Sequence, residues 1–162
     1  MSDETARIAD VLDTIAHDVL AQLQGISPED LNRPLTLPET NALFALATHL
    51  VGAGEFWALV VAGRRTIPRD RPAEFRATGS LVVLTTRYER WLADVRVVLA
   101  AVTPDYMERR MDVNRLRSVP SASSEEVSVR EALPRAVKHS ALHLGHIQMT
   151  RQLLGYAPAA EG

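Results

Sequence analysis

The stretch Ser128-Val-Arg-Glu-Ala-Leu-Pro-Arg-Ala-Val-Lys-His139-Ser-Ala-Leu-His143-Leu-Gly-His146-Ile-Gln-Met-Thr-Arg-Gln-Leu-Leu-Gly155 decides how the chain folds. Ser128 followed three residues later by Glu131 fits a capping box, in which each side chain meets the other residue's free backbone N–H. Gly155 closes the segment and Pro158 lies just beyond it. One long helix is expected between these signals, with Pro134 in its second turn predicting a kink or a later start. Three of the chain's five histidines fall on it. On a wheel of about 100° per residue with His139 at zero, His143 falls at about +40° and His146 at about −20°. Leu142, Met149 and Leu153 lie to one side of this arc, and Ala136, Leu144, Ile147 and Leu154 to the other. The spacing therefore predicts histidines in the middle of an apolar face, with Ser140 and Thr150 as the nearest polar partners.

Three more helices of similar length precede it. The first runs from about Asp3 to Gln24, with Ile8, Val11, Leu12, Ile15, Val19 and Leu23 as its apolar stripe. Ser27-Pro-Glu-Asp opens a short turn, and Pro34 and Pro38 keep 31–37 out of long helix. The second helix runs from Pro38 or Glu39 to Val61 and stops at Gly63. Its His49 is flanked by Ala42, Ala45, Leu46, Ala53, Phe56 and Val60, again in mid-face. The segment 64–79, with Pro68, Pro72 and several arginines, reads as a surface connection. The third helix, Ser80 to Val102, carries Leu81, Leu84, Tyr88, Trp91, Val95, Val98 and Val102 on one face. From Met107 to Val127 the chain is polar and aperiodic, which predicts a long loop with one extended piece near Met111 to Val113. The expected fold is therefore all-α, a four-helix bundle with a long loop between helices 3 and 4. A chain of 162 residues is read as a single domain over 1–156 with a disordered tail over 157–162.

Composition narrows the function classes. A net charge of −2 gives no reason to expect a nucleic-acid partner. Arg87, Arg90 and Arg96 share the third helix with Glu89 and Asp94, the pattern of a solvated face. The absence of cysteine excludes disulfides, thiolate metal sites and a cysteine nucleophile. The N-terminus is too polar for a signal peptide, and no apolar run is expected to approach the roughly twenty residues that cross a bilayer. These features predict a cytoplasmic protein without a membrane partner. Arginine far outnumbers lysine, as in proteins from GC-rich bacterial genomes.

The chemistry lies in the histidines. Neutral imidazole is the commonest side-chain ligand for zinc, nickel and iron. His139 and His143 are one helical turn apart, so both can face one ion. A third ligand from another helix would make a three-histidine site with a coordination position open to water or substrate, as in catalytic centres. One buried histidine is more often a satisfied core residue; four on apolar faces, left unpaired, would each cost about 1–3 kcal/mol. Other polar residues read more blandly. His17 is off its helix's stripe and reads as surface. Glu55 is the acidic residue nearest a histidine in sequence, but it lies about 120° from His49 on the wheel, which argues against a general base. Tyr88, Trp91 and Trp57 read as core or pocket wall. Arg151 reads as surface, with an anionic substrate as its alternative partner.

Two segments also resemble a known family. Thr48-His49-Leu-Val-Gly-Ala-Gly-Glu-Phe-Trp57, followed by Gly63-Arg64, is similar to the second helix of the DinB/YfiT superfamily. His139-Ser-Ala-Leu-His143-Leu-Gly-His146-Ile147, ending in Arg151-Gln-Leu-Leu-Gly155, is similar to its last helix, where the usual pattern is a histidine, three residues, then His-x-Gly-Gln-Ile. The four-helix layout and the turn Ile26-Ser-Pro-Glu-Asp-Leu31 extend the resemblance over essentially the whole chain. It implies a divalent metal ion, zinc or nickel first and iron next, held by His49, His139 and His143. His146 stands where the family has glutamine, and could be a fourth ligand, a hydrogen-bond partner one shell further out, or neither. The resemblance further implies a metal-dependent enzyme acting on a small-molecule substrate: a hydrolase, or an S-transferase or isomerase that uses mycothiol, bacillithiol or glutathione as its low-molecular-weight thiol. It also implies a homodimer. The alternative is a non-catalytic, metal-stabilised binding or scaffold bundle.

Overall fold

A computed structural model describes residues 3–117 and 123–159. Four long helices dominate it: α1 (Asp3–Leu23), α3 (Leu43–Gly54), continued without a break by a π-helical stretch (Glu55–Ala62), α5 (Leu81–Ala101) and α8 (Val129–Leu153). Short helices α2 (Pro28–Asn32), α4 (Arg71–Glu74), α6 (Pro104–Met107) and α7 (Val113–Leu116), with strands β1 (Arg110–Asp112) and β2 (Glu126–Ser128), occupy the connections. The chain is an all-α four-helix bundle, as the periodicity predicts. In the main packing, α1 lies against α5 and α8, and α3 against the same two helices. Successive long helices α1 and α3 are thus diagonal, as are α5 and α8, so their connections must cross an end of the bundle.

The apolar stripes form the core. Leu12, Ala16, Val19 and Leu23 of α1 meet Leu84, Tyr88, Trp91 and Leu99 of α5 and Leu133, Ala136 and Ile147 of α8. Every residue of α3 is buried. A helix apolar all round belongs in a core, and this one corrects an expectation. Leu43–Ala62 is 20 residues long and apolar enough to span a membrane by length and composition, yet 83% of its most apolar stretch is buried inside the bundle. Gly54 lets α5 approach it: a Cβ there would sit 2.3 Å from Trp91 Cζ2. The Tyr88 hydroxyl donates to the Ala47 carbonyl at 2.9 Å, tying the same two helices.

Helix boundaries follow the sequence signals in most places. The capping box at Ser128 is present in both directions, and α8 starts at Val129 and continues past Pro134 without a break. The expected start of the second helix at Pro38 or Glu39 is wrong. Glu39 has φ 57, a left-handed conformation no α-helix can propagate, and Thr40 Oγ1 donates to the Leu35 and Leu37 carbonyls. The helix begins only at Leu43. The expected long loop before α8 holds more structure than anticipated. Its extended piece is β1, which pairs antiparallel with β2, Met111 opposite Val127. Val113 and Val127 are buried on Phe56, Val60 and Val61 of the π-helical stretch, forming a second apolar cluster. Residues 118–122, and 160–162 of the expected disordered tail, lie outside the described residues.

Candidate metal centre

α3 and α8 bring three histidines together. The ligand-capable atoms of His49, His139 and His143 all lie within 4.8 Å of one another. His139 Nε2 is 3.2 Å from His49 Nε2. Ring centroids are 5.0 Å apart for His49 and His139, 4.8 Å for His49 and His143, and 4.5 Å for His139 and His143. Two nitrogens bound at about 2.1 Å in tetrahedral geometry stand about 3.4 Å apart, so the His49–His139 spacing suits a shared ion.

Sequence reasoning missed what holds His49. Its Nδ1 is 2.8 Å from Glu74 Oε2, and both side chains are buried, His49 at 2% and Glu74 at 6% exposure. An ionised carboxylate only accepts hydrogen bonds, so His49 carries its proton on Nδ1. The lone pair is then on Nε2, which faces the other two rings. Arg69 grips the same carboxylate as a fork, Nε to Oε1 at 2.6 Å and Nη2 to Oε2 at 2.9 Å. Burial opposes ionisation of Glu74, but the hydrogen bonds from His49 and Arg69 and the Arg69 charge outweigh it and hold the carboxyl below its usual range. The segment read as a surface connection is therefore part of the site. Asp70 caps α4 by accepting from Ala73 N at 3.0 Å, and the helix delivers Glu74 to the cluster. Phe75, next in the chain, lies on the His49 ring at 4.3 Å. Asn32 Nδ2 donates to the Gly79 carbonyl and Gly79 N donates back to Asn32 Oδ1, which anchors the segment to α2. A sequence signal existed: Asp70-Arg-Pro-Ala-Glu74 has a capping residue and a proline at a first helical turn.

Glycine is needed where Glu74 crosses α3. A Cβ at Gly52 would lie 2.3 Å from Glu74 Oε1 and 3.4 Å from Arg69 Nε. On an exposed helix, Gly→Ala stabilises by about 1 kcal/mol. Gly52→Ala is expected to do the reverse, because it displaces a carboxylate clamped by two partners. Thermal melting checks the sign; a stabilised variant would show that the clamp is soft.

His139 and His143 sit differently from expectation. They are half-buried at the rim of the bundle, not in the middle of an apolar face. The buried side of α8 is Leu133, Ala136, Ser140 and Ile147, whereas Leu142, Met149 and Leu153 are 54%, 62% and 60% exposed. The wheel counted those three as core because they are apolar, but the helix turns them outward. Ser140 Oγ is buried without a hydrogen-bond partner and does not serve the histidines. Burial pushes the His139 imidazolium down to about 4, helped by His49, Arg69 and Arg71. Burial pushes His143 to about 3, helped by His139, His49, His146 and Arg71. Both rings are neutral near pH 7, with lone pairs available to a cation. His146 is exposed, outside the group of three, with Nδ1 3.3 Å from His143 Nδ1.

These shifts fix a pH dependence for the metal-free protein. The unfolded chain binds protons at His139 and His143 near pH 6.5, but the folded chain does so only near 4 and 3. Between those values the unfolded state holds more protons, so stability falls as pH drops from about 6.5 towards 4. Melting temperatures in the presence of a chelator are expected to show that slope, and His143→Gln to flatten it. An unchanged slope in the variant would contradict the assignment.

The other residues singled out by sequence fall elsewhere. Glu55 is not at the histidines; its Oε2 pairs with Arg87 Nη2 at 2.7 Å. His17 is exposed and bonds within its own helix to the Asp13 carbonyl, as expected. Tyr88 and Trp91 are buried in the core and Trp57 packs against it. Arg151 is not the surface residue expected. It is buried, and donates to the carbonyls of Gln22, Gln24 and Ala157, stapling the end of α8 to the end of α1.

Solved structures share this fold. A DinB-like protein, YjoA, from Bacillus subtilis is 15% identical, covers 95% of this chain and 95% of its own, and superposes with a TM-score of 0.67. YfiT from Bacillus subtilis, described as a probable metal-dependent hydrolase with an unusual four-helix bundle topology, is 17% identical, covers 97% and 91%, and has a TM-score of 0.66. A conserved protein from Enterococcus faecalis is 14% identical, covers 96% and 99%, and has a TM-score of 0.72. No curated protein matches. Residues 7–155 match the family described as mycothiol-S-transferase, nearly the full length of the chain. The chain belongs to the mycothiol-S-transferase family, within the DinB/YfiT-like superfamily.

Proposed function

We propose that this protein is a metal-dependent enzyme that transfers a low-molecular-weight thiol to an electrophilic small molecule, with His49, His139 and His143 holding the cation. The observation that carries this reading is the Glu74 hydrogen bond that leaves His49 Nε2 as a lone pair 3.2 Å from His139 Nε2. Two such nitrogens repel unless a proton or a cation lies between them. Three neutral imidazoles suit zinc, nickel or iron, with zinc or nickel first. When bound, a divalent cation supplies Lewis acidity, which favours the deprotonated form of a thiol or water brought beside it.

The chain's own residues prepare that chemistry. Glu74 keeps the His49 proton on Nδ1, and Arg69 keeps Glu74 ionised and in place. Phe75 covers one face of the His49 ring and keeps water off it. Burial keeps His139 and His143 unprotonated. Nδ1 of His143 lies 3.3 Å from His146 Nδ1, which leaves its Nε2 as the nitrogen available to a cation. His146 then acts as an outer partner, and the three-ligand set keeps one position open for a substrate, which favours catalysis over a closed structural site. With no cysteine in the chain, the nucleophilic sulfur must come from a cosubstrate. Family membership supports mycothiol as that cosubstrate. In the transfer, the thiol proton is released, a sulfur–carbon bond forms on the electrophile, and its leaving group departs.

The test is turnover by protein purified without a metal-affinity tag and loaded with zinc or nickel. Mycothiol, bacillithiol and glutathione are each offered with 1-chloro-2,4-dinitrobenzene, and chloride release is followed. Thiol-dependent turnover that is lost on chelation and in His49→Ala is expected. A bound ion with no turnover for any thiol would sink the transferase reading and favour the non-catalytic metal-stabilised bundle.

A further inference from the structure

A cavity of about 550 Å³ opens between the π-helical stretch, the segment leading into α4, and α7; Arg69, which holds Glu74, is in its lining. One wall is apolar, built from Phe56, Ile67, Pro72 and Leu116; the other carries Arg69, Arg71 and Arg117, with Asp70. The charges on this rim do not balance. Arg69 is committed to Glu74. Asp70 accepts from Ala73 N at the cap of α4 and is the one carboxylate of the lining, against Arg71 and Arg117. Arg117 Nη2 is 3.8 Å from Glu125 Oε2, but Glu125 already accepts from Arg135 at 2.6 Å. Arg71 has no carboxylate partner among the described residues. Its guanidinium lies over the Phe75 ring at 5.3 Å, and Phe75 in turn lies on His49.

We propose that this cavity binds the electrophilic substrate, and that the substrate is an amphipathic carboxylate. Its flat apolar body lies against Ile67 and Leu116, and its carboxylate pairs with Arg71, with Arg117, whose guanidinium lies over the Phe56 ring at 5.7 Å, as the second cation of the lining. Guanidinium is suited to this role because its planar fork matches a carboxylate with two parallel hydrogen bonds. A site of several hundred Å³ with apolar walls and a few fixed polar groups is the usual form of a small-molecule pocket. Arg71 thereby sets which molecules reach the histidines. That this ligand is the substrate rests on the function proposed above; that the cavity prefers a carboxylate does not.

The probes are 2-naphthoate and its neutral counterpart 2-naphthamide, titrated calorimetrically into zinc-loaded and chelator-treated protein. Naphthoate is expected to bind both forms at least about tenfold more tightly than the amide, the size of a charge-assisted bidentate pair. Arg71→Gln is expected to remove the preference at an unchanged melting temperature, and Arg7→Gln, on the far helix α1, to retain it. Equal binding of acid and amide by the unsubstituted protein would overturn the proposal. So would acid binding that needs zinc and survives Arg71→Gln, since the carboxylate would then be a ligand of the ion. The preference persisting in protein that takes up no zinc would leave the pocket standing and remove the metal reading.

Discussion

Glu74→Ala is expected to lower both stability and metal affinity. The carboxylate is buried and joins His49 to Arg69. Removing one partner of a buried pair costs about 3–5 kcal/mol, because the remaining charge is left without compensation. Arg69 is 19% exposed and recovers part of that by turning to water, which places the loss near 3 kcal/mol. For a chain of this size, that is a melting-temperature drop of roughly 6–12 °C. The metal effect is separate. Without Glu74 the His49 ring is free to exchange tautomers and to turn, and loss of such outer partners costs about 10–100-fold in affinity. Glu74→Gln distinguishes the two. A glutamine oxygen still accepts from His49 Nδ1, so stability recovers in part while affinity stays reduced by the lost charge. Calorimetric melting and a competitive zinc titration on the three proteins check both effects. Full zinc affinity in Glu74→Ala would show that the carboxylate does not position His49.

Zinc is expected to stabilise the unsubstituted protein and to leave His143→Ala unmoved. A ligand that binds only the folded state adds about 2.7 kcal/mol at one hundred times its dissociation constant. That is a rise of about 5–11 °C. Losing a ligand should cost more than losing an outer partner, so His143→Ala is expected to bind more than about 100-fold more weakly. Without metal, the same substitution removes a ring that is costly to protonate, so the metal-free variant resists mild acid better than the parent. His146→Ala is informative beside it. If His146 only supports His143, most of the zinc shift survives.

The fold was legible because each long helix announces itself. The stripe of α5, the capping box at Ser128 and the three-and-four spacing of apolar residues on α1 are local signals that tertiary packing does not override. The histidine cluster was half legible for the same reason. His139 and His143 share a helix face by arithmetic, and His49 sits in a segment too apolar to tolerate it without a partner. That partner was not legible. Glu74 lies in a polar, proline-bearing segment, and nothing local distinguishes a carboxylate that folds back onto a core helix from one that faces water. Only the tertiary path reveals it: Asn32 fixing Gly79, Asp70 capping α4, and Gly52 leaving space. The exposure of Leu142, Met149 and Leu153 was hidden for a related reason. A wheel ranks residues by apolarity, whereas the direction of burial is set by where α1 and α3 lie. The π-helical stretch after Gly54 has no signal in composition at all. It packs against α8 and α5 and, through Phe56, Val60 and Val61, against Val113 and Val127, all distant in sequence.

The most direct test is anomalous diffraction from crystals of the unsubstituted protein grown with zinc, measured on either side of the zinc edge. A peak about 2.1 Å from a ring nitrogen of each of His49, His139 and His143, absent from His143→Ala crystals, is the predicted result. Well-ordered rings with no peak between them, or a peak held by His143 and His146 away from His49, would contradict a centre built from α3 and α8.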